Sequence, residues 1–111
     1  MEKKRSFIIA LSGFFFSAVV GAESGWTDYV NVAELVPTAR HYYEFRLPVK
    51  ENPAGCREKA WFYQDYSSSG SEMMFKTLLE GVTSRIRLRV YVTGKCNMNG
   101  YSEISSVSIV P

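Results

Sequence analysis

The sequence predicts a mostly β domain with one helix, of element order β-β-β-α-β-β. Three observations predict it. Five stretches carry strand character, and the clearest, "RIRLRVYVTG" at 85–94, sets Ile86, Leu88, Val90 and Val92 on one side and Arg85, Arg87, Arg89 and Tyr91 on the other. One segment, "SSSGSEMMFKTLLEGVTS" at 67–84, repeats its apolar residues at three and four positions instead of two. That helix falls between the third and fourth strands, which is the order of a five-stranded OB-fold-like Greek-key barrel. An open α+β sheet with the helix on one face is the other architecture compatible with this order.

The first strand is read from "DYVNVAEL", 28–35, where Tyr29, Asn31, Ala33 and Leu35 alternate with Val30, Val32 and Glu34. Pro37 and Thr38 end it. The aromatic stretch "HYYEFRLPV", 41–49, forms the second strand, with Pro48 marking an edge or a strand end. A turn cluster, "KENPAG", separates it from the third strand, "KAWFYQDY" at 59–66, which holds four aromatics. The helix follows. Ser69 and Glu72 have the spacing of a capping box, and Met74, Phe75, Leu78, Leu79 and Val82 share one face. Gly81 is the expected C-terminal stop. The Asn99-Gly100 turn signal separates the fourth strand from the fifth, "YSEISSVSIV" at 101–110.

Residues 1–22 are expected to be a secretory signal peptide. Lys3, Lys4 and Arg5 precede an apolar run at 7–20, and Val20-Gly21-Ala22 places small residues before a cleavage site after Ala22. The run has 14 residues, short of the roughly 20 that span a bilayer, so no membrane span is expected. Residues 23–111 then form one OB-fold-like domain of 89 residues, with no repeat or linker. The signal removes three of 13 basic and one of 11 acidic residues, leaving 10 of each. Long-range attraction to nucleic acid has no support from that balance. The expected location is the periplasm or the outside of the cell.

Export also assigns the two cysteines. Cys56 and Cys96 are the only pair, and an even pair in a small exported domain reads as a disulfide. Cys56 lies before the third strand and Cys96 before the fifth. Those strands are parallel neighbours in the barrel, so the bond would pin its closure. A metal site lacks ligands, because His41 is the only histidine and no CxxC spacing occurs. No cofactor is expected. No GxSxG, HExxH or phosphate-binding glycine loop is present, and a lone histidine without a positioned partner is a poor catalyst. The expected class is a non-catalytic binding module.

The candidate ligand-binding residues are Trp61, Tyr63, Tyr66, Ser67, Ser68, Arg87 and Arg89. Trp61 and Tyr63 share one strand face, and Tyr66 lies beside serine hydroxyls, a mixture of stacking ring and polar group that suits a sugar. The same serines suit a helix N-cap. The arginines offer bidentate recognition of carboxylates. Their alternative role is a solvated strand face paired with carboxylates such as Glu103. The partner is a glycan or an exported protein that covers the aromatic surface.

The chain from Cys56 onward resembles the small exported proteins similar to the binding subunit of subtilase cytotoxin. The resemblance rests on the cysteine before the third strand, the Ser/Gly-opened helix with "MMFKTLLEGV", then "RIRLRVYVTGKC" and "YSEISSVSI", over residues 56–110. Residues 26–49 match in strand order alone. It implies an OB-fold subunit that assembles into a pentameric ring and binds sialylated glycans. It carries over no glycan-contacting residue.

Overall fold

The computed structural model describes residues 23–111; the expected signal peptide lies outside the described residues. The elements are β1 (Gly25–Trp26), β2 (Glu34–Val36), β3 (Tyr42–Arg46), β4 (Trp61–Asp65), α1 (Ser71–Ser84), β5 (Leu88–Cys96) and β6 (Ser102–Ile109). The chain is mostly β with one helix, as expected. The sheet has six strands and not five, in the order β1-β5-β6-β4-β3-β2.

The extra strand, β1, lies ahead of the expected first strand, and within 28–35 only Val30 and the residues from Ala33 onward find strand partners. Gly25 and Trp26 pair with Val92 and Tyr91 of β5, and Val30 bridges Leu88 in the same antiparallel sense. The chain then changes partner. The Ala33 amide donates to the Arg46 carbonyl at 2.9 Å, and Glu34–Val36 runs antiparallel to β3. One continuous segment thus supplies both edge strands of the sheet. Asp28 sits at the crossing, where its carboxylate accepts the Lys50 and Glu51 amides at 3.0–3.3 Å.

All neighbouring strands are antiparallel except β4 and β6, which run parallel with Phe62 opposite Ser102 and Tyr63 opposite Glu103. That ladder is short, and buried Gln64 lengthens it. Its side-chain amide donates to the Ile104 carbonyl, while its Oε1 accepts the Ser68 hydroxyl at 2.8 Å. A side chain here does the work of a further backbone pair.

The core lies between one side of the sheet and α1. Tyr43, Phe45 and Leu47 from β3 and its extension, Phe62 from β4, Leu88, Val90 and Val92 from β5, Ile104 from β6 and Leu78 from α1 are all fully buried. The rings of Phe45 and Phe62 stack at 5.4 Å. Alternation along β3 and β5 separates this inner set from an outer one, as period-two strands require.

The helix differs from expectation at both ends. Its N-cap is Gly70, at φ 78°, with no side-chain cap, so the Ser69–Glu72 box does not form. Glu72 instead reaches Lys76 at 3.4 Å. Gly81 does not stop the helix, which continues to Ser84 and closes on Arg85 at φ 54°. Gly81 is a point of close approach: a Cβ there would meet Leu88 Cδ2 at 2.7 Å and Val32 Cγ2 at 3.3 Å. Docking through Gly81 puts Ser71, Met74, Leu78 and Gly81 inward, and leaves Leu79 and Val82 exposed.

Cys56 and Cys96 form the disulfide. Strand β5 runs two residues further than expected, so Cys96 is its last residue, paired with Ser102 of β6. Among the described residues no helix is long and apolar enough to cross a membrane.

Gly81→Ala should lower stability by about 1–3 kcal/mol through overpacking against Leu88, and Leu78→Ala by about 2–5 kcal/mol through a cavity. Urea unfolding of the oxidised protein measures both. Reduction of the disulfide, which closes a loop spanning 40 positions, should cost roughly 4 kcal/mol in the same assay.

Candidate binding face

The outer side of β3 and β4 carries a second set of rings and charges, in which Tyr63 and Glu44 are buried and Tyr42 and Trp61 half-buried. Register sets Tyr42 against Asp65, Glu44 against Tyr63 and Arg46 against Trp61. The start of β6 adds Glu103 beside Tyr63, and Tyr101 precedes it. Trp61 and Tyr101 stack at 5.2 Å with 17° between planes, and the Arg46 guanidinium lies 6.0 Å from the Trp61 ring. Tyr42 and Tyr63 meet edge to face at 6.0 Å. Arg40 lies over the Tyr42 ring and reaches Glu44 at 3.6 Å. The result is a strip of four aromatic rings bordered by carboxylates and guanidiniums.

A loop closes one end of the strip. Residues 97–100 connect β5 to β6, and Tyr42, Asn97, Met98 and Asn99 line a cleft of about 360 Å³ there. The loop is built with little freedom. Asn97 Oδ1 accepts the Asn99 and Tyr101 amides at 3.0 and 2.9 Å, and the Gly100 amide donates to the Asn97 carbonyl. Gly100 holds φ 84°, a left-handed conformation that explains the Asn-Gly pair. Arg57 Nη2 donates to the Asn99 carbonyl at 2.7 Å from beneath, and the disulfide fixes the strand that enters the loop. Cys96 thus stands at the entry to the turn that borders the aromatic strip.

The phenols feel this setting. Desolvation, with the negative charges of Glu103 and Asp65, pushes Tyr63 up to about 12. Tyr101 is raised by desolvation and by the charges of Glu44 and Glu58. Both stay neutral donors across the physiological range. Flat rings flanked by fixed donors and acceptors suit a polyhydroxylated ring, whose C–H faces stack while its hydroxyls bond to the rim.

The residues singled out from sequence divide three ways. Trp61 and Tyr63 belong to this face. Tyr66, Ser67 and Ser68 lie in the β4–α1 turn, where the Ser68 hydroxyl is engaged by Gln64 and Ser67 is exposed. The arginine stripe is dispersed: Arg85 caps the helix and Arg87 precedes β5, exposed. Arg89 lies on β5 opposite Ser108, not near Glu103, with its guanidinium 4.2 Å from the Trp26 ring and 4.9 Å from that of Tyr29. Glu103 accepts the Thr93 hydroxyl instead. Tyr42, Glu44 and Arg40 lie outside the set singled out from sequence, although Tyr42, Glu44 and Arg46 share one parity of β3. Tyr101 carried no sequence signal, because its place depends on the parallel register. Among the described residues no group of three or more His, Cys, Asp or Glu is placed to hold a metal ion.

No family model, curated protein or solved structure matches the chain.

Tyr63 offers a direct check on the electrostatics of the face. Its phenol is raised above the unfolded value of about 10, so its contribution to stability is full below that pH and is lost as pH rises through about 12. Tyrosinate absorbance should show a phenol ionising near that upper value that Tyr63→Phe removes, and the variant should lose stability less steeply over the same window.

Proposed function

We propose that the chain is an exported binding module that performs no catalysis and takes a glycan on the outer face of β3, β4 and the start of β6. The observation that carries this reading is the Trp61–Tyr101 stack beside the Tyr42–Tyr63 pair, with the cleft at loop 97–100 along its border. An OB-type barrel is part of the proposal. One segment feeding both sheet edges and the β3-β4-β6 adjacency support it. In that architecture the corresponding strand face and its two flanking loops bind oligosaccharides or oligonucleotides. Here Arg40, Arg46 and Arg57 are offset by Glu44, Glu58, Asp65 and Glu103, so the face lacks the surplus positive charge that phosphates require. Sugar is the better fit.

The resemblance to toxin binding subunits extends the proposal to sialylated glycans and a five-membered ring. A second reading, an exported protein that binds or inhibits another protein, draws on a different surface. Met73, Leu79 and Val82 on the helix are exposed, at 65%, 44% and 39%, and apolar exposure of that kind suits a protein partner.

A glycan array probed with the oxidised, exported protein should show saturable binding, and Trp61→Ala should weaken it roughly tenfold or more, about 1.4 kcal/mol. Absence of glycan binding, together with capture of one dominant protein partner that survives Trp61→Ala, would replace the sugar reading with the second one. Light scattering tests the ring separately: a pentamer is expected, and a concentration-independent monomer removes it.

A further inference from the structure

We propose a second binding site, separate from the sheet face, that takes one uncharged phenolic ring. It is a pocket of about 280 Å³ between the start of α1 and the chain after β2, walled by Pro37, Tyr43, Tyr66 and Phe75, with Ser71 and Glu72 at the helix end. That size lies just below the range of drug-sized ligand sites, about 300–1,000 Å³, and suits a single ring.

The walls are held in place. The Tyr66 hydroxyl donates to the Thr38 carbonyl at 2.7 Å and accepts the Thr38 amide at 2.8 Å, which fixes an exposed ring as one side of the opening. Tyr43 is fully buried, donates to the Ser71 carbonyl at 3.1 Å, and meets Phe75 edge to face at 5.1 Å and Tyr66 at 5.7 Å. Three aromatic walls favour an aromatic guest through offset and edge-to-face packing.

Ser71 supplies the polar requirement. It is 2% exposed, and among the described residues its Oγ has no hydrogen-bond partner. Buried hydroxyls are ordinarily satisfied, and rotation about the Cα–Cβ bond is enough to turn this one toward a guest in the pocket it lines. A hydroxyl on the ring provides the missing partner. Glu72 beside the opening, paired with Lys76 at 3.4 Å, disfavours a guest carrying its own carboxylate. The ligand class is therefore a neutral phenol, either a free small molecule or a tyrosine side chain presented by another polypeptide.

The test is an NMR titration of the oxidised, exported protein with p-cresol, toluene and N-acetyl-tyrosine amide. Saturable shifts centred on Tyr66, Ser71 and Phe75 are expected, with p-cresol binding at least about fivefold tighter than toluene, and Ser71→Ala should abolish that preference while toluene binding persists. Binding of the capped tyrosine identifies a peptide source, and its failure beside p-cresol binding identifies a free phenol. Equal affinity for p-cresol and toluene in the unmodified protein, or no saturable shift at these three residues, would overturn the proposal. These outcomes leave Trp61 untouched, so they stand or fall independently of the glycan reading.

Discussion

The parallel contact between β4 and β6 is the constraint on which the rest of the structure depends. It joins two three-stranded halves, β2-β3-β4 and β1-β5-β6, through only two register pairs. Contacts from outside the ladder reinforce this junction. Gln64 extends it with side-chain hydrogen bonds, and Asn52 donates to the Lys59 carbonyl and to the hydroxyl of fully buried Ser102. The Cys56–Cys96 disulfide ties the approach to β4 to the end of β5. Each device acts within a few residues of the point where backbone pairing runs out.

The same junction creates the candidate binding face. Trp61 and Tyr63 come from β4, Tyr101 from just before β6 and Glu103 from its start, and only the parallel register brings them together. Loop 97–100 borders the strip because the disulfide, Arg57 and Asn97 hold it there. On the proposed glycan reading, the bond that secures a short ladder would also preorganise the loop beside the aromatic rings, lowering the ordering cost of binding.

Much of this was legible in the sequence because alternation reports burial directly. Leu88, Val90 and Val92 are inward as their period of two requires, and the Asn99-Gly100 turn and the cysteine pair were read from local chemistry. The failures share a cause. The first strand splits because its two parts answer to different partners, β5 and β3, and a one-dimensional pattern does not record partners. Ser69 looked like a cap, yet Gly70 in a left-handed conformation starts the helix. Gly81 looked like a stop and serves as a contact point with Leu88. The arginine stripe was real as a pattern, but the strand begins only at Leu88, so its members face separate surroundings. Within the candidate face, strand parity points to Trp61 and Tyr63, whereas Tyr101 requires the tertiary register.

Amide hydrogen exchange on the oxidised and reduced protein tests the primacy of the junction most directly. Reduction should strip protection first from Phe62, Tyr63 and Ile104 and from loop 97–100, while the Val90–Val107 region of the β5–β6 ladder stays protected. Uniform loss of protection across the sheet, or unchanged protection at the junction, would contradict it.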